Sequence, residues 1–244
     1  MHHTVDVRNL HFVYGDGTKA LDGVDLFIAP GEKVALIGPN GSGKSTLILH
    51  LNGILMGEGE VRVCGQSVQP DTLGKVRAAV GLVFQDPDDQ LFSQSVFDDV
   101  AFGPIYMGCD LNQVHGRVDR ALQAVGMGTS AERVPHHLSQ GEKKRVAIAT
   151  VIAMDPEILV LDEPSAGLDP RSRRELIQLL DELPQTMLVA SHDMQLVAEI
   201  FPRMIIIDQG RIVADGATDE MMENAELLKA HGLETPYRFG HPRV

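Results

Sequence analysis

Residues 1–30 alternate between apolar and polar positions, as half-buried β-strands do. A Gly-Asp-Gly segment at 15–17 separates two such stretches. The alternating apolar residues are Val5, Val7, Leu10, Phe12, Leu21, Val24, Leu26 and Ile28. Because successive side chains of a strand point to opposite faces of a sheet, this pattern predicts strands with one face in the core.

Further along the chain, short apolar runs alternate with helical segments. The runs are VALIG (34–38), VGLVF (80–84), ILVLD (158–162), TMLVAS (186–191) and MIIID (204–208). Helical patterns follow in STLILHLNGIL and in the segments that begin at Pro170 and Asp193. EVRVCGQSV predicts a hairpin, and RIVADG predicts a strand that pairs with MIIID. Strands separated by helices favour an α/β fold with a largely parallel, helix-covered sheet.

Residues 86–139 interrupt this rhythm and predict an inserted helical subdomain. Its clearest helix has Asp110 at its start and Gly126 at its end, with an apolar residue every three or four positions between them. The apolar residues, all expected in the core, are Leu111, Val114, Val118, Leu122 and Val125. From Thr218 onward we expect a short, polar, helical tail that ends irregularly in ETPYRFGHPRV.

Composition and charge exclude several classes of function. The 244 residues, of which 43% are hydrophobic and 23% charged, suit one core with an inserted lobe. There is neither an apolar run long enough to span a bilayer nor a signal peptide, so we expect a cytoplasmic location. Cys64, Cys109 and the histidine pairs at 2–3 and 136–137 form no metal-ligand pattern, and we expect these histidines at the surface. The net charge of −13 argues against nucleic acid as a partner.

The segment GPNGSGKST at 38–46 matches the phosphate-binding pattern G-x-x-x-x-G-K-[ST], between a predicted strand and a predicted helix. Its glycines let backbone N–H groups turn towards an anion, which the start of the helix also attracts. Lys44 can reach the terminal phosphates of a nucleotide, and the Ser45 hydroxyl can bind Mg²⁺. The candidate binding residues are Gly38, Pro39, Asn40, Gly41, Ser42, Gly43, Lys44, Ser45 and Thr46.

ILVLDEP at 158–164 places two carboxylates at the end of a buried strand, where open parallel sheets bind their ligands. We expect Asp162 to hold Mg²⁺, mostly through water, and Glu163 to polarise the attacking water. Taken alone, the segment could be an acidic turn that closes a strand. After a phosphate-binding loop, we interpret it as the hydrolytic part of the same site.

The order of GPNGSGKST, VFQDP, LSQGE, ILVLDEP, SAGLD and SHD resembles the nucleotide-binding cassette of ABC transporters over nearly the whole chain. The resemblance implies an α/β fold with a P-loop NTPase (RecA-like) core, an antiparallel β-subdomain and an inserted α-helical subdomain. It implies ATP and Mg²⁺ as cofactors and ATP hydrolysis as the activity. The implied divisions are an ATP-binding core at 1–85 and 140–216, the inserted subdomain at 86–139 and a C-terminal tail at 217–244, all within one cassette.

The resemblance also implies that two chains share each ATP. ABC cassettes pair head to tail, so Ser139 and Gly141 of LSQGE would bind the γ-phosphate that the partner chain holds. A hydroxyl, backbone N–H groups and a helix start all suit an anion, and Ser139 can cap its helix at the same time. Gln140 and Glu142 depart from the common LSGGQ form, whereas the two phosphate-contacting positions are kept. We therefore expect a second cassette as partner, with a homodimer favoured.

Four other positions match residues of the family one by one. Gln85 resembles the glutamine that senses Mg²⁺ and water, with an ordinary polar strand end as the alternative. His192 resembles the histidine that contacts the γ-phosphate and orients the catalytic glutamate, with a structural histidine as the alternative. Tyr14 resembles the aromatic that stacks on adenine, and core packing is its rival. Asp169 resembles an aspartate of the dimer contact, although it is also a good helix start.

QDPDDQLFSQSVFDDVAFGP at 85–104 is similar to a segment of the ATPases of energy-coupling-factor importers. There, it lines a groove that receives coupling helices of a membrane subunit, and Asp86, Asp88 and Asp89 would suit arginine-bearing helices. A loop shaped only for its own fold is the alternative. We expect integral membrane subunits to contact residues 86–104, with the protein peripheral on the cytoplasmic face of the cell membrane. Cobalt or nickel is the favoured cargo; biotin or other vitamin import, or a soluble non-transport ABC ATPase, is the alternative.

Overall fold

Strands and helices alternate along the chain in the computed structural model, which describes residues 4–234. The strands are β1 (Val5–Val13), β2 (Lys19–Ile28), β3 (Lys33–Ile37), β4 (Glu58–Val63), β5 (Gln66–Ser67), β6 (Val80–Val83), β7 (Ile158–Asp162), β8 (Thr186–Ala190), β9 (Arg203–Asp208) and β10 (Arg211–Ala217). The helices are α1 (Lys44–Leu51), α2 (Leu73–Ala79), α3 (Val96–Tyr106), α4 (Leu111–Ala124), α5 (Gln140–Ile152), α6 (Pro170–Glu182), α7 (Met194–Ile200), α8 (Thr218–Glu223) and α9 (Ala225–Ala230). Short 3₁₀ helices lie at Pro87–Asp89 and Pro135–His137.

The strands form two sheets: the largely parallel sheet that the alternation of strands and helices predicts, and the antiparallel one that the family resemblance implies. A small antiparallel sheet has the order β2-β1-β4-β5. The larger sheet has the order β10-β9-β3-β8-β7-β6, in which β10 is antiparallel to β9 and the other neighbours are parallel. Because the carboxyl ends of parallel strands meet at one edge, the loops after β3, β6, β7 and β8 converge there.

Buried apolar residues form one cluster on each face of the larger sheet. Alternate residues of β7 separate cleanly between them. Leu159 and Leu161 join the cluster that contains residues of α3 to α7, whereas Ile158 and Val160 join the cluster between the two sheets. Burial on both faces explains why β7 is apolar at every position before its final aspartate.

Helices α3 and α4 lie within the segment predicted as an insertion and pack against each other and against α5. Asp110 caps α4 and forms a capping box with Gln113, and the chain leaves the helix through Gly126 at φ 68°. Val114, Val118, Leu122 and Val125 are buried as predicted. The prediction is wrong for Leu111, which is 76% exposed, because the first turn of α4 extends beyond the packed part of the helix and residues 111–113 are all exposed.

The tail after β10 is helical, as predicted, but its polarity was overestimated. Met221, Met222 and Leu228 are buried in the larger cluster and attach α8 and α9 to the core. Residues 235–244 of the predicted irregular end lie outside the described residues, as do His2 and His3, whereas His136 and His137 are exposed. No helix within residues 4–234 is both long and apolar enough to cross a bilayer. The division of the chain into core, insertion and tail stays a prediction.

Candidate functional site

The glycine-rich loop after β3 packs so closely against the backbone of β9 and β2 that glycine is required at two positions. A Cβ atom on Gly38 would clash with the carbonyl oxygen of Ile207, and one on Gly43 would lie 2.6 Å from the carbonyl oxygen of Ala20. Gly43 also has φ 109°, a conformation that L side chains rarely adopt. These two positions therefore leave no room for a side chain, and the loop leads directly into the start of α1.

Lys44 begins α1 and lies inside the loop that precedes it. Its ammonium donates hydrogen bonds to the carbonyl oxygens of Gly38 at 2.7 Å and Pro39 at 3.1 Å. Burial lowers the pKa of Lys44, and the negative charges of Glu163 and Asp162 act in the opposite direction. A buried cation at a helix start is a strong site for an anion such as a phosphate.

Two carboxylates lie opposite this loop at the end of β7. Glu163 is buried, and its Oε2 accepts hydrogen bonds from the backbone N–H of His192 at 3.2 Å and from the ring Nδ1 of the same residue at 2.8 Å. Glu163 has φ 44°, which is unusual for a residue with a side chain. Its backbone N–H donates to Ala190 O at 2.9 Å, so β8 helps to hold this conformation.

Asp162 fits a divalent cation. Burial raises its pKa and the neighbouring charge of Glu163 adds to this, while a hydrogen bond from Ser45 and the positive charges of Lys44 and Lys144 lower it. Its Oδ1 atom is buried and accepts no hydrogen bond from residues 4–234. With the Ser45 hydroxyl and the Gln85 amide on the same cavity, the donors are all oxygen atoms, which Mg²⁺ prefers.

These groups line one open cavity of about 380 Å³, a size that suits a small-molecule ligand. Its lining residues are Tyr14, Thr18, Lys19, Ala20, Asn40, Gly41, Ser42, Gly43, Lys44, Ser45, Thr46, Gln85, Asp162, Glu163 and His192. Gly38 and Pro39 line an adjoining cavity together with His192 and the tail residues 232–234. The structure thus brings the predicted phosphate loop, acidic pair, glutamine, histidine and tyrosine to the same place.

Tyr14 lines this cavity and has features of both roles considered for it, packing in the core and stacking on adenine. Its ring packs edge-on against Phe12 at 4.9 Å, and its hydroxyl forms a 3.0 Å hydrogen bond with the hydroxyl of Thr46. The side chain nevertheless remains 38% exposed. The ring is therefore held in place by its neighbours and still has a surface that a base could contact.

Ser139, Gly141 and Asp169 are predicted site residues that do not line this cavity. Ser139 caps α5: its Oγ accepts from Glu142 N at 3.3 Å, and Glu142 accepts from Ser139 N at 2.8 Å. Glu142, one of the positions that differ from the common family form, therefore forms a capping box with Ser139. Asp169 caps α6 by accepting from Arg171 N and Ser172 N. Within one chain, these two helix starts remain separate from the nucleotide loop.

A second, larger cavity of about 770 Å³ lies between the larger sheet and the inserted helices. Phe92 and Phe102 meet edge to face at 5.4 Å on its surface and are 65% and 56% exposed, and Tyr106 beside them is 83% exposed. Asp99 also lines it and accepts from the N–H groups of Phe92 and Ser93 through Oδ1. Its Oδ2 is buried and has no hydrogen-bond partner in the described part of the chain.

Gln90 joins this apolar groove to the nucleotide cavity. Its Oε1 accepts from Phe84 N at 3.2 Å, immediately before Gln85, and its Nε2 donates to Ala147 O at 2.9 Å and to Thr150 Oγ1 at 2.7 Å. Of the acidic residues singled out from the sequence, Asp89 lines this groove, Asp88 pairs with Lys143, and Asp86 accepts from Asp88 N. Their role towards a partner stays a prediction. We did not predict Gln90 or Asp99 as functional from the sequence, although both lie in the segment that we singled out.

Comparisons with known proteins agree with this geometry. The sequence profile of the family described as "ABC transporter" matches residues 21–166. The energy-coupling factor transporter ATP-binding protein EcfA of Methanothermobacter thermautotrophicus is 48% identical over 95% of this chain and 76% of its own. The structure of cbiO1 from Clostridium perfringens, part of the ABC transporter complex cbiONQ, has 38% identity and a TM-score of 0.83 over 97% of both chains. The ATP-binding cassette MJ0796, a dimer bound to ADP and Pi in a post-hydrolysis state, has 28% identity and a TM-score of 0.79 over 88% of this chain and 98% of its own.

Proposed function

We propose that this chain, which belongs to the ABC transporter family of ATP-binding cassettes, is the energising ATPase of an importer of the energy-coupling-factor type. As a member of the family it binds ATP, has ATPase activity and energises a transporter. The class of transporter, the partners, the cargo and the role of each residue are the proposal. The apolar groove that Gln90 connects to the nucleotide cavity is the observation that carries it.

The glycine-rich loop and Lys44 would bind the phosphates of ATP, and Glu163 would act on the attacking water. A buried carboxylate held by His192 has one fixed oxygen and one that can accept a proton from water. The ring nitrogen of His192 donates to Glu163, so the histidine would orient the base and lie beside the terminal phosphate. Tyr14 would contact the adenine ring.

Ser45, Asp162 and Gln85 would hold Mg²⁺. The ion supplies neutralisation of the charge that develops on the phosphates during transfer. The unpartnered Oδ1 of Asp162 supports this assignment, because a buried carboxylate oxygen without a donor is costly unless a cation binds it.

A second copy of the chain would complete each ATP site. Ser139 and Gly141 lie at the start of α5, a helix end that would suit an anion, and they lie outside the cavity of their own chain. In a head-to-tail pair, they would contact the γ-phosphate of the partner, and Asp169 would lie at the same interface. The dimeric state of the similar cassette MJ0796 supports this arrangement. ATP would then hold two chains together until hydrolysis removes the shared phosphate.

The groove would bind a helix of an integral membrane subunit. Its exposed aromatic residues offer apolar area, and Asp99 Oδ2 offers a buried acceptor that an arginine or a helix N-terminus could satisfy. Because Gln90 bonds both to α5 and to the strand end before Gln85, movement of such a helix would reach the nucleotide site. The chain would thereby lie on the cytoplasmic face of the membrane as a peripheral subunit.

Cobalt or nickel is the cargo that we favour, because cbiO1 is similar along its whole length and belongs to the cbiONQ complex. Import of biotin or another vitamin is the second candidate, since the relatives named EcfA carry a general energy-coupling factor name. In either case, the cassette would supply energy and the membrane subunits would recognise the cargo.

Capture and reconstitution test the proposal. The tagged chain is purified from solubilised membranes, and the integral proteins that accompany it are identified and placed with it in liposomes. Uptake of radioactive cobalt, nickel and biotin is then measured with ATP on the cassette side. ATP-dependent uptake of cobalt or nickel is the expected result, and biotin uptake would favour the second candidate. Absence of any integral partner would refute an importer.

Asp99→Asn tests the groove itself, because it exchanges the unpartnered oxygen for an amide of the same shape. We expect capture of the membrane subunit to fall about tenfold or more, the effect of losing one charged hydrogen bond of about 1.5–3 kcal/mol. ATP hydrolysis by the cassette alone should be unchanged. Asp98→Asn is the matched control, since within residues 4–234 the side chain of Asp98 bonds only to Ser95, at an exposed helix start. Equal capture by both variants would contradict the role of Asp99.

A further inference from the structure

Lys144 is a buried lysine to which the mechanism above gives no role. It lies on α5, shortly after the capping Ser139, and only 2% of its surface is exposed. Lysine is almost never fully buried unless its charge is paired or hydrogen-bonded. Here, the ammonium donates to the backbone carbonyl oxygens of Gln85 at 2.8 Å and of Glu163 at 3.0 Å.

The position of Lys144 follows from the helix that carries it. Gly141, Lys144, Ile148 and Val151 are buried and recur at the spacing of one helical face. Burial lowers the pKa of Lys144, and the charges of Asp86, Glu163 and Asp162 oppose this effect. A charged group on the apolar face of a helix is costly, so this lysine is a specific contact rather than a solvated side chain.

Both carbonyl groups that Lys144 binds belong to residues of the proposed hydrolytic site. Glu163 has φ 44°, and such backbone strain persists only where neighbouring groups enforce it. Its N–H is bound by β8 at Ala190 O, and its C=O is bound by Lys144. The lysine therefore holds the peptide whose side chain would act on water, and it ties that peptide to the end of β6.

We propose that Lys144 is a positioning residue for ATP hydrolysis, which keeps Glu163 and Gln85 of its own chain in register with α5. The inference rests on the proposed roles of Glu163 and Gln85. Because the start of α5 would contact the ATP held by the partner chain, a shift of this helix on ATP binding would move the donor that holds the chain's own Glu163. Each chain would thus couple the two ATP sites of the pair.

Lys144→Met removes the donor and keeps the length of the side chain. We expect kcat for ATP hydrolysis to fall about 10- to 100-fold, the usual effect of a misplaced catalytic group, while KM changes less than threefold. Lys143→Met is the matched control, because this neighbouring lysine pairs with exposed Asp88 instead. Lys144→Arg, which restores donors and charge, should recover much of the lost kcat. A kcat for Lys144→Met within twofold of the wild type would overturn the inference.

Dimerisation provides a readout that separates positioning from simple support of the fold. In a Glu163→Gln background, ATP should produce the dimer with the same midpoint whether position 144 is Lys or Met. If Lys144→Met abolished ATP-dependent dimerisation, the residue would serve the interface and the inference would be wrong. If the methionine variant does not fold, Lys144→Arg decides: a folded Lys144→Arg protein should keep most of the wild-type kcat, and a fall of about tenfold or more counts against the inference.

The same variants separate this inference from the proposed function. If Glu163→Gln keeps normal turnover, the hydrolytic site is assigned wrongly and the proposed function fails with it. If Glu163→Gln is inactive while Lys144→Met is fully active, the site stands and only the role of Lys144 is lost.

Discussion

Gln90→Met tests whether the groove and the nucleotide site are mechanically joined. The side chain of Gln90 accepts from Phe84 N and donates to Ala147 O and Thr150 Oγ1. Methionine has nearly the same length and flexibility but can neither donate nor accept these hydrogen bonds. The change therefore removes the connection without removing much volume.

The magnitude follows from which partners are left unsatisfied. Ala147 O still accepts from Thr150 Oγ1 at 2.8 Å, so neither of these groups loses its last bond. Phe84 N has no other hydrogen-bond acceptor among the described residues, and because Phe84 is half-buried, leaving this N–H without a partner costs up to about 1–3 kcal/mol. The two other bonds contribute about 0.5–1.5 kcal/mol each, and packing of the thioether in the apolar groove offsets part of their loss. We expect a net loss of about 2–3 kcal/mol in the free energy of unfolding.

Urea unfolding at pH 7 measures this loss, and thermal unfolding should show Tm lower by about 4–12 °C. The control is Gln178→Met, which should cost less than about 0.5 kcal/mol, since the exposed side chain of Gln178 bonds only to Glu182 in the described part of the chain. In the transporter, Gln90→Met should retain the ATPase activity of the isolated cassette and lose its response to the membrane subunits. A stability within 0.5 kcal/mol of the wild type, together with intact coupling, would refute the reasoning.

Three other predictions concern the nucleotide site and the start of α5. Lys44→Ala should weaken ATP binding at least tenfold in a fluorescent-nucleotide titration, with the exposed Lys75→Ala as control; unchanged affinity would contradict the phosphate-loop assignment. Glu163→Gln should keep ATP affinity within about threefold and lower the rate of phosphate release about 10²- to 10⁴-fold, and a normal rate would remove this residue from catalysis. Hydrogen bonds from Arg133 and from the backbone N–H of Ser139 lower the pKa of Glu142 from 4.5 to about 2. A carboxylate whose pKa is lower in the folded than in the unfolded protein stabilises the fold at pH values above the unfolded-state pKa. Glu142→Gln should therefore lower the free energy of unfolding by about 0.5–1 kcal/mol at pH 7, and this difference should shrink as the pH falls from about 4.5 towards 2. Urea unfolding across this range checks it, and a difference that does not vary with pH would count against the ion pair.

The sequence predicts best where a local pattern has one structural solution. An apolar run followed by a glycine-rich loop identifies β3 and α1, and the acidic pair marks the end of β7. The sheet order then places β8 between these two strands, and parallel strands end at a common edge. This is why motifs far apart in the chain could be assigned to one cavity before the structure was known.

Other features escape the sequence because they depend on contacts between distant segments. Helix α2 has Val76 as its one buried residue, which leaves no periodic pattern to detect. Close packing of α5 against α6 also favours glycine at position 141, because a Cβ atom there would lie 2.5 Å from Ser172 Oγ on α6. Lys144 falls on the buried face by helical spacing alone, but lysine at such a position usually extends to solvent, so only the carbonyl oxygens that it meets explain its burial.

Helix α5 connects three parts of the molecule through residues one turn apart. Lys144 binds the backbone of Glu163, and Ala147 and Thr150 accept hydrogen bonds from Gln90 of the groove. The capped end at Ser139 does not line the chain's own nucleotide cavity. Residues three and four positions apart lie on the same side of a helix, so both sets of contacts act on one rigid element. Movement of the groove residues can therefore be transmitted to Glu163 through α5 as well as through the segment that contains Gln85. The two routes differ in consequence: loss of Gln90 should isolate the cassette from its membrane partner and spare turnover, whereas loss of Lys144 should slow turnover in the isolated cassette.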